Sequence, residues 1–250
     1  MSQYLTARLE NAYLPPFGNN EGQFAPSVKS IMRKNPWNSD SEFNWDYIKS
    51  EWDNLAIASD KKLFIEASPP NIMRVASILR VFPSCKYLFS ISSPYSFIAS
   101  HAFNYNSEKL PLRQMIQEAS AAWIKKANVQ KLNIDTFGSR ASVMTYEEFC
   151  ANPECIFKKL QIDNQLVSDK DVILKGKSNS RFSRIADMLP KHLAFLGASG
   201  IIQVNEILSQ EVQLLEFFGY KLLDLHECNI ILSQNILLAF DGLERRKGFK

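Results

Sequence analysis

The period of the apolar residues changes several times along the 250-residue chain, and the changes are sharpest between residues 61 and 105. Lys62–Glu66 is a short apolar run rich in Phe and Ile, which predicts a buried strand. Pro69-Pro70 breaks it, and Asn71 is placed to cap a helix whose Ile72, Val75, Ile78, Leu79 and Phe82 share one face until Pro83. Tyr87–Ser92 predicts a second strand, which turns directly into a helix. Ser93 suits the N-cap of that helix, and Pro94 suits its first position, where no backbone N–H is needed. A strand that ends at a helix N-terminus leaves several N–H groups pointing one way, which is the geometry of an anion site.

Elsewhere the pattern is coarser. Residues 2–13 keep Leu5, Leu9 and Tyr13 on a common helical face, and Pro15-Pro16 with Gly18-Asn19-Asn20 form a loop. Residues 25–43 are polar and Pro-punctuated, predicting an exposed excursion with at most a short helix. Trp45, Ile48, Trp52 and Leu55 recur at helical spacing and predict an amphipathic helix over 44–56, its tryptophans facing a core. A longer helix is expected over 110–129, a strand at Ala141–Thr145, a short helix at Pro153–Leu160, and helices over Val204–Phe217 and 226–243. Residues 161–185 are polar and Ser-rich and read as a mobile loop over a site. Strands interleaved with helices argue for an α/β fold, a parallel sheet flanked by helices on both faces. The chain reads as one domain over 1–250, with 1–223 as core and 224–250 as a C-terminal helix and charged tail.

Composition narrows the class. Hydrophobic content of 46% with 22% charged residues is that of an ordinary globular chain, and a net charge of +3 is too small for a nucleic-acid-binding face. No stretch has the apolar length to cross a bilayer and no basic-then-apolar leader opens the chain, so a cytoplasmic location is expected. Cys85, Cys150, Cys155 and Cys228 lack metal-ligand spacing; they read as inert thiols, and no metal is expected.

Ala67-Ser68-Pro69-Pro70-Asn71 is followed in order by Phe82-Pro83-Ser84-Cys85-Lys86, then Ser92-Ser93-Pro94-Tyr95, then Ser100. This order resembles the sulfotransferase family, whose pattern runs K-S-P-P-N, a helix, F-P-x-A-K, an apolar run, R-N-P-R, then a helix carrying a Ser. Val143-Met144-Thr145-Tyr146-Glu147-Glu148-Phe149 with Pro153 is similar to the family's "Y-E-D-L" segment, and Leu215-Glu216-Phe217-Phe218-Gly219-Tyr220 to its closing "F-G-Y". The resemblance touches most of 1–223. It implies a P-loop-like three-layer architecture and a sulfuryl transfer from 3′-phosphoadenosine 5′-phosphosulfate to a hydroxyl or amine acceptor, with glycans among the candidates. It also places Ser92, Ser93, Ser100 and Tyr146 on the donor's side.

Three departures accompany the match. Ser92 stands where the family has the Arg that clamps the 3′-phosphate, and Ala67 where it has a Lys, so two charge-assisted contacts are missing. The family's opening strand and Gly-rich phosphate loop have no counterpart. We expect that Met1 is an internal methionine and that about 10–20 residues of strand and loop precede it. An in-frame stop codon immediately upstream would refute that.

Sulfuryl transfer needs an anion cradle, positive charge near the leaving phosphate and a base for the acceptor's proton. Glu21, in Asn20-Glu21-Gly22-Gln23, stands where several family members carry a catalytic Glu; the alternative is a solvated loop carboxylate. His101, beside Ser100, is the second catalytic candidate, against a packing or surface role. Ser100 is either a phosphate contact or a small residue allowing close packing, and Tyr146 either a donor contact or a core-rim aromatic. Lys175, Lys177 and Arg181 could supply the missing charge from the polar loop; Arg246-Lys247-Gly248 lies too late in the chain to match the family's basic triplet. Two other classes remain open. One is a non-catalytic relative that binds a ligand or partner, favoured by Ser92 and Ala67. The other is a different nucleotide-dependent transferase such as a kinase, disfavoured by the lack of a Gly-rich Lys-Ser/Thr loop.

Overall fold

The computed structural model describes residues 1–39, 42–105, 110–138, 140–168 and 185–247. In chain order the elements are α1 (Ser2–Arg8), β1 (Ala12–Tyr13), α2 (Lys29–Met32), α3 (Trp45–Ala58), β2 (Leu63–Phe64), α4 (Val75–Val81), β3 (Tyr87–Ile91), α5 (Pro94–Asn104) and α6 (Leu112–Phe137). They continue with β4 (Ala141–Thr145), α7 (Tyr146–Ala151), α8 (Cys155–Lys159), α9 (Leu189–Leu208), α10 (Val212–Phe217), α11 (Leu225–Gln234) and α12 (Ile236–Arg246). The chain divides into two compact units, residues 1–89, 137–142 and 152–185 in the first and 90–136, 143–151 and 186–250 in the second. The strands pair as two two-stranded ribbons, β1 with β2 in parallel and β3 with β4. Helices and parallel strand pairing are therefore present, and among the described residues the pairing does not join the ribbons into one sheet.

The first unit is built around α3. Asn44 caps it by accepting the Tyr47 N–H at 3.0 Å, and Trp45, Ile48 and Trp52 are buried as their spacing predicts. What covers them was not predicted. Ala25, Val28 and Met32 are wholly buried against this face, so the otherwise exposed 25–39 stretch is anchored in the core at three points, while Pro26, Lys29 and Ser30 between them are exposed. Two short turns, a 3-10 turn at Gly22–Phe24 and α2, achieve this with too few residues to leave a periodic signature. Residues 62–66 contribute only the two-residue β2, and Leu63 is exposed rather than buried. Asn71 does not cap α4. It falls inside a 3-10 turn over Pro69–Met73, and its side chain has another task.

The second unit gathers α5, α6 and α9 around Tyr95, Ile98, Ile116, Trp123, Leu193 and Val204. Helix α6 runs to Phe137, eight residues beyond its predicted end, with Gln130 buried and donating to the Ser90 carbonyl at 3.1 Å. The predicted 226–243 helix is two, separated at Asn235, and the first opens with a capping box between Asp224 and Glu227. Helix α9 is interrupted at Gly197, whose φ of 61° and ψ of 177° are not helical.

Candidate functional site

Residues singled out from the sequence fall into two polar clusters, one in each unit. In the first unit, the loop after β1 brings Glu21-Gly22-Gln23 against the segment Glu66–Asn71. The Glu66 carboxylate is turned inward and accepts three hydrogen bonds, from the Gly22 N–H at 2.6 Å, the Ser68 N–H at 2.8 Å and Asn71 Nδ2 at 3.0 Å. The Gln23 N–H donates to Ser68 Oγ at 3.2 Å, and Trp52 Nε1 to the Gly22 carbonyl at 3.3 Å. Gly22 is required by this approach, because a Cβ there would lie 2.2 Å from Glu66 Oε2. Burial raises the Glu66 carboxyl above the usual carboxylate range, opposed by its Ser68 and Gly22 hydrogen bonds.

Glu21 is buried at 8% exposure and accepts a hydrogen bond from Gln23 Nε2, so it is not a solvated loop carboxylate. Gln23 Oε1 and Asn71 Oδ1 are buried with no hydrogen-bond partner. Nearby, Arg74 is buried, donates to the Asn35 and Pro36 carbonyls and lies over the Phe43 ring at 4.4 Å, leaving Nε and Nη1 unpartnered. Desolvation pulls its guanidinium down to about 10, partly offset by the Glu66 carboxylate. Glu66 and Arg74 were missed from the sequence: a carboxylate at the end of an apolar run and an Arg on an apolar helix stretch are both costly to bury unless paired or hydrogen-bonded.

In the second unit, the head of α5 is the centre. Ser93 is buried, and its N–H donates to Glu147 Oε1 at 2.9 Å. The other carboxylate oxygen accepts the Tyr220 hydroxyl at 2.7 Å, and the same hydroxyl lies 3.4 Å from the Ile91 carbonyl. Burial and the adjoining Glu147 carboxylate push the Tyr220 phenol well up, so it remains a donor. Glu147 is aimed by the turn that opens α7. There Thr145 and Glu148 form a reciprocal pair, the Thr145 N–H donating to Glu148 Oε2 at 2.7 Å and the Glu148 N–H to Thr145 Oγ1 at 3.0 Å. The spacing T-x-x-E was readable as a capping box. Trp123 Nε1 donates to the Ser92 carbonyl at 3.2 Å. Below the head, the buried Tyr95 hydroxyl donates to Asn205 Oδ1 at 2.5 Å and accepts the Leu223 N–H at 2.8 Å, and burial raises this phenol to about 12.

Thus the segments Ser92–Tyr95, Tyr146–Phe149 and Phe217–Tyr220, far apart in sequence, are joined by hydrogen bonds at one helix terminus. Ser93, Ser96 and Ser100 follow at i, i+3 and i+7 along α5, a single helical face. Ser96 was missed; its hydroxyl is buried without a partner, and the spacing from Ser93 was the available signal. Ser100 Oγ accepts from Asn104 Nδ2 at 3.1 Å. His101 stacks on Phe97 and meets the tilted Tyr105 ring, and burial, with Lys126 nearby, lowers its pKa. No hydrogen bond orients it among the described residues. Burial, followed by a hydrogen bond with Cys150, raises the Tyr146 phenol. Glu21 belongs to the first unit, and Ser92, Ser93, Ser100, His101 and Tyr146 to the second. Lys175, Lys177 and Arg181 lie outside the described residues.

Among the described residues, no helix is long and apolar enough to cross a membrane, no group of three or more His, Cys, Asp or Glu is placed to hold a metal ion, and the four cysteines are unpaired. Compared with models of protein families, with curated proteins and with solved structures, the chain matches none.

Proposed function

We propose that the chain is a sulfotransferase-like protein that takes the phosphates of 3′-phosphoadenosine 5′-phosphosulfate at the head and Ser face of α5 and passes the sulfuryl group to a hydroxyl or amine acceptor, glycans included. The observation that carries the reading is the junction of Ser93, Glu147 and Tyr220, which ties together three of the segments on which the family resemblance rests. The unpartnered Ser96 hydroxyl and the Ser93–Ser96–Ser100 face add donors suited to an anion. In this reading the two strand ribbons belong to a parallel sheet with helices on both faces. The donor brings the activated sulfur–oxygen bond. The acceptor's proton passes to a base as its oxygen bonds to sulfur, and adenosine 3′,5′-bisphosphate leaves. Glu21 takes the role of base on resemblance alone, with Gln23 fixing one of its oxygens.

One observation favours the second reading, a non-catalytic relative that binds a ligand or partner. Glu147 already accepts the Ser93 N–H, placing a carboxylate at the head of α5, while Ser92 and Ala67 bring no compensating cation. Calorimetric titration with adenosine 3′,5′-bisphosphate separates the two. Saturable binding below about 100 μM, weakened by Ser96→Ala, supports the transferase; no heat up to about 1 mM leaves the non-catalytic relative. Given binding, Glu21→Gln should lower sulfuryl turnover and spare nucleotide affinity. Unchanged turnover would remove Glu21 from the mechanism.

A further inference from the structure

The C-terminal helices carry a feature unrelated to the α5 head. Between α9, α11 and α12 lies a half-open cleft of ≈ 290 Å³, walled by Leu193, Ile201, Leu225, Leu232 and Leu243. Ala198 and Ala239 also line it, and their short side chains leave the space open. Its lining residues with polar or thiol groups are Cys228, Asn229 and Arg246. Arg246 has no ion-pair or hydrogen-bond partner among the described residues, whereas its neighbours Arg245 and Lys247 pair with Asp241 and Glu244.

The guanidinium lies against a break in α9. Gly197 interrupts α9 with a positive φ of 61°, a conformation that side-chain-bearing residues rarely adopt. A Cβ on Gly197 would lie 1.6 Å from Arg246 Nη1, the far end of a flexible side chain, so the guanidinium packs directly against the Gly197 backbone. A glycine break in an otherwise apolar helix is costly, and here it seats an unpaired cation at an apolar cleft. Apolar walls with one charged group are the composition of a small-molecule site that fixes a ligand's orientation.

We propose that this cleft binds a medium-chain carboxylate, its alkyl chain among the leucines and its carboxylate paired with Arg246. Arg fits because its planar fork matches a carboxylate. A cleft of this size takes a small ligand rather than a long acyl chain, and octanoate, with a short alkyl chain and one carboxylate, is the probe.

The test is titration of the full chain with octanoate and with octan-1-ol, followed by amide chemical shifts in ¹H–¹⁵N NMR spectra. Octanoate should bind at least tenfold tighter than octanol, with shifts concentrated at Leu193, Ala198, Asn229 and Arg246. Arg246→Gln should weaken octanoate about tenfold and leave octanol unchanged. Ala198→Leu, which fills the cleft without touching the charge, should abolish both. Equal affinity of the wild-type chain for octanoate and octanol overturns the proposal without any variant. So do shifts centred elsewhere, or no shift at about 10 mM ligand.

Discussion

His192 offers a stability switch whose size follows from the structure. It lies on α9 with its imidazole turned largely inward, and Nδ1 is buried without a hydrogen-bond partner. Burial, then the positive charges of Lys191 and Arg245, push its pKa from 6.5 down to about 4. Asp241 pairs with Lys191 and lies 3.8 Å from Arg245 Nε. A group whose folded pKa is depressed contributes stability that is fully present above its unfolded value and lost as the pH falls through the folded one. The window therefore opens at about pH 6.5 and closes near about pH 4. Each pH unit inside it removes about 1.4 kcal/mol, so the whole window spans on the order of 3 kcal/mol. Residual solvent access trims this to about 2–3 kcal/mol. Urea unfolding followed by circular dichroism at pH 7, 5.5 and 4, for the wild type and His192→Gln, isolates the term. Carboxylates titrate in both proteins, so the difference belongs to His192. The variant should lose about 2–3 kcal/mol less than the wild type between pH 7 and 4, and an imidazole proton titration should place His192 near 4. Parallel losses, or a midpoint near 6.5, would refute the reasoning.

Other perturbations have equally direct readings. Glu66→Ala strips the acceptor from three donors in the first unit and should cost about 3–5 kcal/mol by denaturant unfolding, with Glu66→Gln costing about 1–3 because one donor then faces an amide NH₂. A loss below about 0.5 kcal/mol for Glu66→Ala would mean that the carboxylate does not hold the two loops. Tyr220→Phe removes one of two hydrogen bonds to Glu147 and should cost about 1.5–3 kcal/mol, with amide shifts reaching Ser93; shifts confined to the neighbourhood of residue 220 would contradict the junction. Asn44→Ala deletes the α3 cap and should lower stability by about 1 kcal/mol, while Asn44→Asp should keep it. Loss of equal size in both variants would show that the cap geometry is not what matters.

The sequence was readable where one element sufficed to write the signal. Trp45, Ile48 and Trp52 announced α3, and Ser93-Pro94 announced the start of α5, because caps and periodic faces are local. It was unreadable where burial is produced by short turns: Ala25, Val28 and Met32 are wholly buried, yet they sit among polar letters with too few turns to make a period. The split of the 226–243 helix at Asn235 left no Gly or Pro to mark it. The same holds for the polar clusters. The Thr145–Glu148 box was local and could have been found, but Glu147 meeting Ser93 spans 54 residues and Glu66 meeting Gly22 spans 44. Such pairs are set by tertiary packing, which a single sequence does not encode position by position.

The two units are interleaved along the chain, each assembled from three stretches with the other's residues between them. No single cut releases either one whole: a fragment ending at Phe89 would lack 137–142 and 152–185, and its remainder would carry those pieces without their framework. Biosynthesis meets the same constraint, since the leading 89 residues must wait for a further ninety or so before their unit is complete. Contacts that close over such separations slow folding and prolong exposure of unfinished surfaces, so nascent chains of this protein should depend on holdase chaperones more than a sequentially arranged two-unit protein of equal length.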